Sequence, residues 1–212
     1  MLEDVLIIKQ KHRLAARSIC KILEKRLQPR QVIAISGESG SGKSEMANTI
    51  ARQLKGQGFK VKVIHSDDFY NSIPEERNDI RISKGIAEYV GIGEYDWEKI
   101  SEVIQAFLEG SIISMPCVDL ITNEVDTLQT DFKRIEILIL DGLYAIAAKE
   151  ADYRIFIDLT YHETKKAQQH RGKESMDNIR FQVLEAEHIA VSSLRKKSDI
   201  IISKEYKVVN IK

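Results

Sequence analysis

Gly37-Glu38-Ser39-Gly40-Ser41-Gly42-Lys43-Ser44 constrains this chain more than any other stretch. It fits the spacing G-x-x-x-x-G-K-[ST]. Small residues let consecutive backbone N–H groups turn inward and cradle phosphate oxygens. The stretch must therefore leave a buried strand and enter a helix, whose free N-terminal N–H groups favour anions. The flanks agree. Val32 to Ser36 is a short apolar run between Pro29 and Gly37, which reads as a strand buried on both faces. From Ser44 to Lys55, Met46, Ile50 and Leu54 recur every four residues, and Gly56 ends the run, which predicts a helix. In such a loop Lys43 bridges β- and γ-phosphates, and the Ser44 hydroxyl is a candidate Mg²⁺ ligand.

The rest of the chain alternates in the same way. A helix is expected over residues 1–28, with basic residues on much of its surface. Phe59–His65, Ile135–Leu140 and Tyr153–Asp158 read as strands, and so do Asp199–Ser203 and Tyr206–Ile211. Asp96 caps a predicted helix from Trp97 to about Glu109, and Met176–Leu194 is a long helical pattern. Residues 111–134 suggest a hairpin turning near Thr122-Asn123-Glu124. Alternating strands and helices imply an α/β sandwich with a mostly parallel sheet.

Composition narrows the function. Lys plus Arg and Asp plus Glu are both 32, so nothing draws the whole molecule to nucleic acid or to an anionic membrane. No apolar run is long enough to cross a bilayer. Met1–Gln10 has no cationic n-region, and two distant cysteines, Cys20 and Cys117, make no disulfide framework. A cytoplasmic chain with reduced thiols is expected. Neither an N-K-x-D guanine-reading element nor an L-S-G-G-Q element is present, which turns the reading from GTPases and transporter ATPases to a compact small-molecule kinase.

Two strand ends carry carboxylates, and in parallel α/β sheets ligands bind outside the carboxyl ends of strands. His65-Ser66-Asp67-Asp68-Phe69-Tyr70 offers Asp67 as the base for an attacking hydroxyl, with Asp68 second. Ile137–Leu140 runs into Asp141-Gly142, so Asp141 is a candidate for the Mg²⁺ shell or the substrate. Asp67 or Asp68 could instead cap a following turn, and Asp141-Gly142 could be an ordinary Asp-Gly turn. Tyr70, Tyr95 and Trp97 could stack on an acceptor or lie in the core. No histidine has metal-ligand spacing.

These elements together resemble the uridine kinase/phosphoribulokinase/pantothenate kinase group of P-loop kinases. The resemblance rests on the loop, on Asp67-Asp68-Phe69-Tyr70, on Glu94-Tyr95-Asp96-Trp97, on Met115-Pro116-Cys117-Val118-Asp119, on Asp141-Gly142 and on Lys165-Lys166 with Arg171-Gly172-Lys173. It implies a P-loop NTPase three-layer sandwich with a mostly parallel five-stranded sheet, a small hairpin insertion and a helical lid over residues 162–175. It also implies ATP and Mg²⁺ as cofactors and a small-molecule acceptor. The implied ATP-side residues are Gly37 to Ser44 with Lys173. Asp67, Lys43 and Arg171 are implied in catalysis, Asp68, Tyr70, Tyr95, Asp96, Asp119 and Asp141 around the acceptor, and Ser44 and Asp141 at the metal. A uridine- or cytidine-type nucleoside comes first among acceptors, then pantothenate, a sugar or glycerate. The departures concern the acceptor: Val118 stands where uridine kinases place a Tyr against the base, and His-Pro-Asp before the Tyr-Asp element is missing. A non-catalytic ATP-binding regulatory module and an RNA-end kinase remain as alternatives. No membrane or nucleic-acid partner is expected, and the basic first helix leaves a homo-oligomer open.

Overall fold

The computed structural model describes residues 5–119, 121–164 and 178–211. Its main sheet has six strands in the order β2-β5-β1-β6-β7-β8. These are β1 (Gln31–Gly37), β2 (Val61–His65), β5 (Ile137–Asp141), β6 (Tyr153–Ile157), β7 (Ile200–Ile202) and β8 (Val208–Ile211). The first five run parallel, and β8 closes the edge antiparallel to β7. The sheet therefore has one strand more than the five the resemblance implies, and the sixth, β8, falls in the segment Tyr206–Ile211 read as a strand. The segment Tyr206–Ile211 is shorter than its apolar pattern suggested: Tyr206 sits in the turn before β8 with φ +62°.

Alternation along the strands builds a core on each face. Ile33, Ile35, Ile137, Ile139, Ile155 and Ile157 meet helices α1 (Gln10–Leu23) and α2 (Lys43–Gly56) on one side. Val32, Ala34, Leu138, Leu140 and Phe156 meet α5 (Trp97–Glu109) and α6 (Asn178–Leu194) on the other. The short helices α3 (Arg77–Lys84) and α4 (Ile86–Tyr89) lie between β2 and α5 in sequence, and α4 packs on α6. This is the expected three-layer sandwich. Helix α1 is shorter than residues 1–28, and Ala15, Ala16, Ile19 and Leu23 bury it within the α2-side core.

A separate two-stranded sheet pairs β3 (Ile112–Val118) with β4 (Val125–Asp131), as the hairpin reading anticipated. The Arg30 guanidinium pins its base, donating to the carbonyls of Phe107, Phe132 and Lys133. Both cysteines are free and buried, and burial pushes the Cys20 thiol up to about 12, which keeps it unreactive.

Candidate active site

The phosphate loop joins β1 to α2 with two left-handed glycines, Gly40 at φ +74° and Gly42 at φ +87°. A Cβ on Gly42 would come within 2.3 Å of the Tyr206 hydroxyl. Glycine is thus required there for both conformation and space. That hydroxyl donates to the Ser41 carbonyl. The Ser41 N–H and the Lys43 ammonium both donate to the Glu38 carbonyl, at 3.1 Å each. The Ser41 Oγ is buried and has no hydrogen-bond partner among the described residues. Ser44 lies in the first turn of α2, half-buried, next to Glu45.

Strand order brings the second carboxylate to the loop. Asp141 pairs in register with Ile35 of β1 and with His65 of β2. It is buried and forms an ion pair with the His65 imidazole. Burial works against a charged His65, but the Asp141 charge and hydrogen bond outweigh it and raise its pKa. Sequence reading gave His65 no role, although two facing strand ends in register are the signal. Gly142 also has a definite reason, since a Cβ there would overlap the Ser66 Oγ at 1.7 Å.

Past β2, a short 3₁₀ turn, Ser66–Phe69, separates the two aspartates. Asp67 is half-buried, and its Oδ1 accepts from the Tyr95 hydroxyl at 3.0 Å. Asp68 is buried and accepts from the Val118 N–H at 2.9 Å, tying the hairpin to this turn. Burial raises the Asp68 pKa, and the Val118 N–H opposes it in part. Both residues line a cavity of about 260 Å³ with Tyr70, Arg77, Asp96, Lys99, Pro116 and Val118. Tyr95 is buried, and burial and then the Asp67 charge push its pKa up. The Tyr70 ring has Tyr95 at 4.2 Å and the Arg77 guanidinium carbon at 3.7 Å from its centroid. Two groups that close cannot share one face, so both faces of Tyr70 are taken.

Other candidates fall elsewhere. Asp96 lines the cavity, but its Oδ1 caps α5 by accepting from the Lys99 N–H at 2.8 Å, as its position predicted. Asp119 is spent on its own turn, accepting from Ile121 and Thr122 N–H at 2.8 and 3.2 Å, and is absent from the cavity lining. Trp97 packs against the core and donates to the Ile92 carbonyl. Lys165, Lys166, Arg171 and Lys173 lie outside the described residues.

The segments flanking that stretch grip the loop directly. Glu38 is buried, and its carboxylate accepts from the Tyr161 N–H at 2.7 Å and meets the His188 Nδ1 at 2.7 Å. The Thr164 hydroxyl donates to the Ser39 carbonyl at 3.0 Å. Arg180, in the first turn of α6, donates to the Ser39 Oγ at 3.2 Å and lies 3.4 Å from Glu187. Sequence reading missed Arg180, since one arginine in a long helical pattern carries no local signal.

The arrangement puts an anion cradle, two strand-end carboxylates and an adjoining polar cavity at one edge of the sheet. Comparison with known proteins agrees. Residues 32–187 match the model of the phosphoribulokinase / uridine kinase family. The chain is 28% identical over 190 residues to a bifunctional alpha-galactosidase/sucrose kinase of Mediterraneibacter gnavus, which covers 83% of this chain and 20% of that protein. It thus spans about a fifth of that relative's length. A uridine kinase of Staphylococcus aureus is 26% identical over 186 residues, 81% of this chain and 86% of that protein. Among solved structures, a possible uridine kinase from Bacillus stearothermophilus superposes with a TM-score of 0.64 at 20% identity, over 89% of this chain and 97% of that one. A D-glycerate 3-kinase from Cryptococcus neoformans gives 0.61 at 11% identity, over 95% and 97%. At those identities the two structures speak for the fold alone. With the family model spanning most of its length, this chain belongs to the phosphoribulokinase/uridine kinase family of P-loop kinases, enzymes that transfer a phosphoryl group to a hydroxyl acceptor.

Proposed function

We propose that this enzyme transfers the γ-phosphoryl group of ATP to a hydroxyl of a small non-aromatic polyol, a sugar or sugar acid. The observation that carries this reading is the occupied Tyr70 ring: both faces are covered, and Val118 is the nearest replacement for a stacking tyrosine. Phe69, the other aromatic residue of the lining, is buried in the core, so a pyrimidine would find little exposed ring surface among the described cavity residues. A polyol would meet Asp67, Asp96, Arg77 and Lys99, groups suited to hydroxyl hydrogen bonds. The sucrose kinase in the name of the M. gnavus relative is consistent with this.

In this reading Asp67 accepts the proton of the attacking hydroxyl, and Tyr95 holds the carboxylate in place. The acceptor oxygen bonds to the γ-phosphorus as the bridging bond breaks, and ADP leaves. The loop N–H groups and Lys43 hold the triphosphate. Arg180 adds positive charge beside Ser39, and Arg171 and Lys173, outside the described residues, remain candidates for further charge. Ser44 and Asp141 supply hard oxygen donors, a set that suits Mg²⁺, which keeps most of its own waters. The cation would neutralise charge on the triphosphate oxygens. His65 fixes Asp141 for that position.

A uridine- or cytidine-type nucleoside is the second reading, favoured by the S. aureus match along most of both chains. ADP release measured with ATP, Mg²⁺ and a panel of sugars, glycerate, pantothenate, uridine and cytidine decides between them. We expect a sugar or sugar acid to raise turnover at least ~10-fold over background. Turnover raised by uridine or cytidine instead would overturn the acceptor. A flat panel with ATP still bound would support the regulatory module.

A further inference from the structure

Residues 5–37 hold eight basic side chains and one acid, Glu24, in a chain whose charges balance only over its whole length. The imbalance gathers at one place. Arg13 and Arg17 lie one turn apart on α1 and face Arg52 on α2 across a cavity of about 350 Å³. Ile8, Thr49, Gln53, Gly56 and Gln57 complete the lining, with no acid and no aromatic ring. None of the three arginines has a hydrogen bond or ion pair among the described residues. Three like charges around one hollow repel each other unless an anion joins them. The C-terminal end of α2 contributes little against this. Its carbonyls at Gln53, Leu54 and Lys55 already accept from the N–H groups of Gln57, Gly58 and Phe59, and a helix end carries only about half a charge.

We propose that Arg13, Arg17 and Arg52 form a second binding site, for a small phosphorylated polyol. Arginine forks match phosphate oxygens in pairs. Gln53 and Gln57 offer amides to hydroxyl groups, and the absence of aromatic rings speaks against a nucleobase. The hollow is of small-metabolite size. Arg52 is nine residues along α2 from Lys43, about 13 Å by helical rise, so this site and the phosphate loop are distinct. They are nevertheless connected. Lys11 lies 4.0 Å from the Tyr206 ring centroid and His12 packs on the same ring, whose hydroxyl holds the Ser41 carbonyl of the loop. A ligand that clamps α1 to α2 therefore acts on the element that buttresses the loop. This site does not depend on which acceptor the kinase uses.

The test is calorimetric titration of the whole chain with fructose 1,6-bisphosphate as probe, at low salt, for wild type, Lys43→Ala and the double variant Arg17→Gln/Arg52→Gln. Both arginines are exposed, and unchanged circular dichroism verifies folding. We expect saturable binding in wild type and in Lys43→Ala, weakened at least ~10-fold in the double variant and intermediate in Arg17→Lys/Arg52→Lys. Binding should weaken as salt rises. Binding abolished by Lys43→Ala but unchanged in the double variant would assign the probe to the phosphate loop and overturn the proposal. So would the absence of saturable binding. A short single-stranded RNA bound more tightly than the bisphosphate, and lost in the double variant, would replace the small ligand with nucleic acid.

Discussion

The two sides of the active site are built in different ways. On the phosphate side, one continuous stretch supplies the cradle, and its glycines are fixed by backbone conformation and by Tyr206 behind them. On the acceptor side, Asp67–Ile73 is also one continuous run, but its carboxylates are held from afar. Asp67 is set by Tyr95 from 28 residues away, and Asp68 is anchored by Val118 from 50 away. The conformation of the loop is local, whereas anchoring from distant residues serves both sides.

Five measurements break or sharpen that contrast. The largest effect is expected at Asp67→Asn, with kcat down by about 10²–10⁴ and ATP binding kept; full turnover there would sink the base assignment. Arg180→Gln should lower kcat/KM for ATP by ~10–100-fold and leave the acceptor KM unchanged, placing α6 on the phosphate side. If the acceptor KM moves instead, the division between the sides is drawn wrongly. Tyr95→Phe should cost about 10-fold in kcat, the scale of one hydrogen bond to a charged group. An unchanged kcat would reduce Tyr95 to a packing residue.

Stability supplies two smaller tests. Gly142→Ala should destabilise by ~1–3 kcal/mol, since the Ser66 hydroxyl occupies the space a Cβ needs; an unchanged Tm would show that Ser66 swings away. The His65–Asp141 pair gives the smallest effect. Its folded-state pKa is raised, so its stabilisation is complete below the ordinary histidine value near 6.5 and fades as pH climbs through the raised one. Wild type should lose roughly 2–4 °C of Tm over that rise, and His65→Gln should not.

The same division governs what could be read in advance. The loop, β1 and α2 were legible because their constraints are local: glycine φ, apolar period and helix start all sit within Val32–Leu54. The alternation of strands and helices gave the three layers. Asp96 was legible both as a cap and as a cavity residue. Asp119 looked like an acceptor residue by its place after Pro116, but its oxygen serves its own turn. His65 needed the register of β2 against β5 before it had a partner. Arg180 needed the fold of α6 back onto Ser39. The edge strand β8 was legible in the apolar pattern of Tyr206–Ile211, but its start at Val208 and its antiparallel direction needed the fold.

Tyr206 has one more consequence. Its hydroxyl closes against a loop that precedes it by 165 residues. During synthesis the ribosome releases the loop, β5 and Asp67 long before this buttress exists. At about 5–20 residues per second the gap lasts on the order of ten seconds or more. The nascent chain therefore carries an unbraced nucleotide cradle until the turn at Tyr206 emerges, and a truncated product lacking that turn should be unable to complete it.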